Sequence, residues 1–186
     1  MCMLGHVDKL AAAGITSFKI EGRAKSSYYV SVVTNAYRMA IDLYRENPGA
    51  YAPPQWLLDE VRKVSHRAYS TGFYLPDSPP GQHYDNRGYV RAWEVVATVD
   101  GWEAGYLHCT ERNRFFPGDA LGLVQPGKPP RPLRVERLLD EEGTELASAN
   151  HPMMKLRIPC DEPCVAGSLL RKPQESFAAS DPGMLY

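Results

Sequence analysis

Between Thr71 and Asn86 the chain carries Gly72, Pro76, Pro79, Pro80 and Gly81, and the hydrophobic period changes across that stretch. Proline fixes φ and removes a hydrogen-bond donor, so such a run interrupts any helix or ladder. It predicts a linker over 76–86. Before it, Val30, Val33, Tyr37, Ala40, Ile41 and Tyr44 recur at three- and four-residue steps, which places one apolar face on a helix. After it, short β-branched and apolar runs alternate with turn signals. With 186 residues and 44% hydrophobic content, the chain is long enough for two cores. The pattern therefore predicts an α+β organisation: 1–75, a linker 76–86, a β domain over 87–172, and a loose tail over 173–186.

Within the first part, residues from about Gly5 to Ala13 suit a helix, and Gly14 suits its stop. Ile15 to Ile20 reads as a buried strand. Ser26 or Ser27 can cap the next helix, and Asn47-Pro48-Gly49 ends it. A third helix is expected from about Gln55 to His66. In the second part, strands are expected at Arg91–Val99, Trp102–Cys109, Ala120–Val124, Leu133–Leu139, Met154–Ile158 and Ser168–Arg171. Asp100-Gly101 is the expected hairpin turn. Short strands at such spacing predict a small antiparallel barrel.

The stretch Ser17-Phe18-Lys19-Ile20-Glu21-Gly22-Arg23-Ala24-Lys25-Ser26-Ser27-Tyr28-Tyr29 concentrates the chemistry. Lys19, Glu21 and Arg23 end the expected strand just before a helix N-terminus, whose free N–H groups and dipole favour an anion. Arg23, Lys25 and Ser26 are candidates to hold a phosphate, and Tyr28 and Tyr29 to line a substrate mouth. The competing reading is an internal ion pair of Glu21 with Arg23 or Lys19. Ile20-Glu21-Gly22-Arg23 also matches a cleavage linker, but its flanks continue a coherent strand and helix pattern.

Net charge is −1, so the chain as a whole makes no case for a polyanion. The distribution is less even. Lys9, Lys19, Arg23, Lys25, Arg38, Arg45, Arg62, Lys63 and Arg67 outnumber the acids of the first 75 residues. His66, Arg67 and Tyr69 combine cation and stacking surface, which suits single-stranded RNA. A histidine at a helix end also commonly bonds only a backbone carbonyl. There is no apolar run long enough to span a membrane and no secretory leader pattern, and four scattered cysteines fit a reducing cytoplasm. Cys160-Asp161-Glu162-Pro163-Cys164 is one pair, too few ligands for a zinc site. No Ser–His–Asp set, metalloprotease helix motif or phosphate-binding glycine loop is legible.

Ala13-Gly14-Ile15, Ser17 to Arg23, Lys25-Ser26, Tyr29-Val30 and Asn35-Ala36-Tyr37-Arg38 resemble the C-terminal half of the peptidase U-32 family. So do Ser65-His66-Arg67, Tyr69 and Thr71-Gly72-Phe73-Tyr74, and, in the small C-terminal barrel, Phe116, Gly118 and Asp119. The resemblance implies the last strand–helix units of a (β/α) barrel followed by an accessory β-barrel. The implied activities are collagenase-like proteolysis, or formation of 5-hydroxyuridine at the tRNA wobble position with an iron–sulfur cluster and prephenate involved. Other relatives hydroxylate ribosomal RNA or ubiquinone precursors. On this resemblance Glu21, Lys19 and Arg23 are catalytic candidates. Arg23, Lys25, Ser26, Tyr29, Arg62, Lys63, His66, Arg67 and Tyr69 are substrate or RNA contacts. Cys2 resembles a fourth cluster ligand whose three fellows lie in a barrel portion missing here.

The chain alone is therefore expected to lack a cofactor and catalytic activity. Its expected partners are tRNA or another structured RNA, and the missing barrel half or a second copy. A stand-alone RNA- or protein-binding module is the remaining alternative.

Overall fold

The computed structural model describes residues 1–75 and 90–174. The expected linker 76–86 and most of the expected tail lie outside them. The chain divides into two units, Met1–Ala92 and Trp93–Tyr186.

In the first unit a single tight turn, Leu4–His6, leads into helix α1, Val7–Ala12. Helix α2, Ser27–Glu46, starts where Ser26 Oγ accepts the Tyr29 N–H at 3.2 Å. The buried stripe of α2 is Val32, Val33, Ala36 and Ala40, and it packs with Leu4, Val7, Leu57, Val61 and Val64. Of the expected stripe, Val33 and Ala40 are buried and Tyr37, Ile41 and Tyr44 pack partly buried on this core, whereas Val30 is 40% exposed. Helix α3 spans only Gln55–Glu60, not the expected reach to His66. Past Glu60 the chain tightens, with Arg62 N–H on Asp59 O and Lys63 N–H on Glu60 O at 3.0 Å each. His66 is then taken into an antiparallel bridge, its N–H on Val90 O and its carbonyl accepting the Val90 N–H.

The expected strand Ile15–Ile20 is extended but pairs with no strand among the described residues. Ile15 is 39% exposed, while Phe18 and Ile20 rest partly buried on the helical core. A strand of this apolar type takes its backbone bonds from strands on both sides, and the described part of this unit supplies none.

The second unit is one antiparallel sheet of eight described strands. They are β1 Trp93–Glu103, β2 Tyr106–Glu111, β3 Ala120–Val124, β4 Arg131–Arg134, β5 Leu138–Leu139, β6 Glu145–Leu146, β7 Lys155–Pro159 and β8 Leu169–Pro173. Their order across the sheet is β4-β3-β8-β1-β2-β7-β5-β6. The expected single strand Leu133–Leu139 is broken, because β4 and β5 lie six strand spacings apart. Six spacings of about 4.8 Å would cover about 29 Å on a flat sheet. The four steps from Arg134 to Leu138 reach at most about 14 Å. The sheet must curl until those strands approach, so the expected small antiparallel barrel is an antiparallel half-barrel, in which β4 and β6 do not pair.

The expected hairpin turn at Asp100-Gly101 is a bulge inside β1 instead. Asp100 Oδ2 accepts from Thr110 Oγ1 at 2.6 Å and from Lys155 Nζ at 2.9 Å, which ties the bulge to β2 and, one strand further, to β7. The chain reverses at Ala104-Gly105, whose φ values are 48° and 84°. Two successive positive φ values give the type I′ twist that matches flanking strands. The concave core buries Leu107, Leu123, Leu138, Leu156, Ile158 and Leu170 almost completely, each stabilising the fold by about 1.5–3 kcal/mol.

Candidate functional site

The chemistry-bearing stretch crosses the first unit as an extended segment followed by a tight turn. Glu21 does not pair with Lys19 or Arg23 among the described residues. Its Oε1 accepts the Arg23 backbone N–H at 3.1 Å, and Lys25 N–H donates to Gly22 O at 2.9 Å. The carboxylate thereby shapes the turn that delivers the chain to Ser26. A Cβ at Gly22 would lie 2.9 Å from Val30 Cγ2, so any larger residue crowds the first turn of α2. Lys19, Glu21 and Arg23 remain exposed.

Two cavities border this segment. One, of about 460 Å³, is lined by Lys19, Glu21, Phe18, Tyr29 and Tyr37, with Met1, Met3 and Tyr74. The other, of about 500 Å³, lies against Ile15, Phe18, Ile20, Ile41 and Tyr44. The first cavity unites three of the expected residues, Lys19, Glu21 and Tyr29; Arg23, Lys25 and Ser26 do not line it. Tyr37 and Tyr74 were not singled out as site residues, and only the helical period of Tyr37 hinted at an inward position.

Cys2 sits half-buried beside this cavity's wall. The Tyr37 hydroxyl donates toward Cys2 Sγ at 3.9 Å and accepts the Met3 N–H at 2.9 Å. Burial, followed by the nearby Cys2 sulfur, raises the Tyr37 phenol well above its ordinary range. Burial also raises Tyr69, and pushes Tyr51 up to about 12. These phenols are therefore neutral donors near neutral pH.

The second group of expected residues gathers on 61–69. Lys25 Nζ donates to Ser65 O at 3.3 Å and lies 5.2 Å from the Tyr29 ring centre, so the start of α2 and this segment are joined. Arg62 pairs with Asp59 and Lys63 with Glu60, each at 2.9 Å. Both are three-residue spacings that the sequence contains. His66 Nδ1 lies 2.8 Å from Val64 O, and its ring stacks on Tyr69 with centres 4.6 Å apart. The aromatic pair is thus stacked internally, with the Tyr69 hydroxyl engaged by Val61 O, and Arg67 is exposed beside it.

No helix among the described residues is long and apolar enough to cross a membrane. The sequence profile described as Peptidase family U32 matches residues 1–83, and that of the Peptidase family U32 C-terminal domain matches 91–171. The chain is similar to tRNA hydroxylation protein P1 of Bacillus subtilis, 29% identical over 175 residues, 91% of this chain and 41% of that one. It is also similar to a protein named Collagenase from Porphyromonas gingivalis, 36% identical over 72 residues, 37% of this chain and 17% of that one. A solved C-terminal domain of a Geobacillus thermoleovorans protein assigned to the U32 peptidases is 28% identical, with a TM-score of 0.41, covering 42% of this chain and 99% of that one. The chain spans less than half the length of these curated relatives.

Proposed function

The chain belongs to peptidase family U32, and on that premise we propose that it supplies the C-terminal, RNA-contacting portion of a cytoplasmic tRNA-hydroxylating protein. The observation that carries this reading is the likeness to tRNA hydroxylation protein P1 across 91% of the chain, through both units. In this reading residues 1–75 are the last strand–helix units of a (β/α) barrel. An extended apolar segment without a ladder, bordered by two cavities, supports it, because neighbouring strands would fill that space. Lys19, Glu21 and Arg23 then stand at the C-terminal end of a barrel strand, where barrel active sites lie. Lys25, Arg62, Lys63 and Arg67 contact phosphates nearby.

An iron–sulfur cluster takes about four thiolates. Cys2 offers one, and no group of three or more His, Cys, Asp or Glu gathers among the described residues. The described residues do not fit a cluster by themselves, and no chemistry of this chain is routed through one.

Fluorescence anisotropy with a tRNA anticodon stem-loop across a salt series tests the proposal. Affinity should fall with salt at a log–log slope of about −0.7 per phosphate contact on single-stranded RNA. Replacing Arg62, Lys63 and Arg67 together by alanine should flatten that slope by roughly two units. Absence of binding at low salt, or an unchanged slope, would remove the RNA-contact reading. The Collagenase relative supports a second reading, proteolysis. Gelatin cleavage by the purified chain above a buffer control would favour it.

A further inference from the structure

The loop between β7 and β8 carries a chemistry that the proposed RNA role does not use. β7 ends at Pro159, and the next residue is clamped from the β1–β2 hairpin. Cys160 N–H donates to Gly105 O at 2.8 Å, and Cys160 O accepts from Trp102 Nε1 at 2.7 Å. Asp161, Glu162 and Pro163 then run exposed before Cys164. Both cysteines turn inward beneath this loop and are 6% and 8% exposed. Both thiols lie near one acceptor, Glu162 O, at 3.4 and 3.5 Å. Both also receive one donor, Arg131 Nη2, at 3.4 Å each. Arg131 Nε in turn lies 3.4 Å from Glu162 Oε2.

One nitrogen and one oxygen thus bridge the same two sulfurs. A guanidinium aimed at two thiols favours their ionised form, the form that reacts with disulfides. It acts against burial, which pushes the Cys164 thiol up. The same guanidinium puts positive charge where a metal cation would have to sit, and no third ligand joins the pair among the described residues. Past the clamped Cys160, residues 161–164 make no ladder bonds, so that part of the loop can open without breaking the sheet.

We propose that Cys160 and Cys164 form a dithiol–disulfide couple that exchanges with small-molecule disulfides. The first thiolate attacks one sulfur of the small disulfide, forming a mixed disulfide and expelling one small thiolate. The second protein thiolate attacks the protein-side sulfur of that bond and expels the other. Two protein thiols are oxidised, and one small disulfide is reduced to two thiols. The bridged sulfurs are poor acceptors, so oxidation frees Arg131 from both and leaves it to Glu162.

The test incubates the whole chain with oxidised glutathione and follows thiols by intact mass and peptide mapping. The expected product has lost two hydrogens, keeps no glutathione and carries a 160–164 bridge. Cys160→Ser and Cys164→Ser should each stop with one glutathione attached, while Cys2→Ser and Cys109→Ser should still form the bridge. Arg131→Met removes the charged donor shared by the two thiols, and the thiolate population falls by more than intrinsic nucleophilicity rises. The first step should slow measurably, and Arg131→Lys should recover most of that. A bridge to another cysteine, four free thiols after equilibration, or equal rates in Arg131→Met and the unaltered chain would overturn the proposal. So would one equivalent of bound zinc that is lost in Cys160→Ser.

Discussion

The wall of the cavity at Glu21 rests on one phenol, and removing its oxygen should loosen the first unit. Tyr37 packs partly buried on the helical core, and its hydroxyl is the acceptor for the Met3 N–H at 2.9 Å. Met3 is 6% exposed, so water cannot replace that acceptor without opening the turn. Tyr37→Phe keeps the ring and leaves a buried donor unpaired, which costs about 1–3 kcal/mol. Relief of the hydroxyl's own burial offsets part of this, so the net loss should be about 1–2 kcal/mol. Urea unfolding followed by far-ultraviolet circular dichroism reads this unit selectively, because all the described helices lie in it. With a slope of about 1 kcal/mol per molar for so small a unit, the midpoint should fall by about 1–2 M. Cys2→Ala removes the long 3.9 Å contact and one partly buried sulfur from the helical core, and should change stability by less than about 1 kcal/mol. A Tyr37→Phe midpoint within about 0.3 M of the original would show that the bond does not support the cavity wall.

Gly22→Ala forces a Cβ against Val30 Cγ2 at 2.9 Å. It should cost about 1 kcal/mol, at the low end for overpacking because Val30 is partly exposed; added Val30→Ala should restore stability, and failure to do so would refute the contact. Burial raises Tyr37, Tyr51 and Tyr69 above the ordinary value of 10.0. Unfolded phenols ionise first, so the stability these groups contribute is complete below pH 10.0 and is lost above it, the Tyr51 share by about pH 12. Tyrosinate absorbance showing all three ionising near the ordinary value in the folded chain would contradict this. The span 90–174 should unfold cooperatively on its own in calorimetry, given its own buried core; a featureless thermogram would count against it.

The β strands were legible because alternation and turn residues are local signals, and most lie where the pattern puts them. The hairpin at Asp100-Gly101 was not, since one of the two donors that hold Asp100 in the bulge is Lys155, 55 residues away. The break within Leu133–Leu139 came from sheet topology, which local pattern does not contain. Ile15–Ile20 has the composition of a strand, but pairing is a property of neighbours. Helix α3 stops short of His66 because that residue's backbone pairs with Val90, a long-range partner that local pattern does not contain. At the candidate site, the pairing of Arg62 with Asp59 and of Lys63 with Glu60 was readable from spacing. The meeting of Arg131 with Cys160 and Cys164 was not, across 29 and 33 residues.

The central claim is that RNA meets the chain on the turn before α2 and on the segment 61–69. Amide hydrogen exchange of the whole chain, with and without the anticodon stem-loop at low salt, tests it most directly. The account predicts added protection over residues 19–29 and 61–69, lost when salt is raised. Protection confined to the sheet of the second unit, or none anywhere, would contradict it.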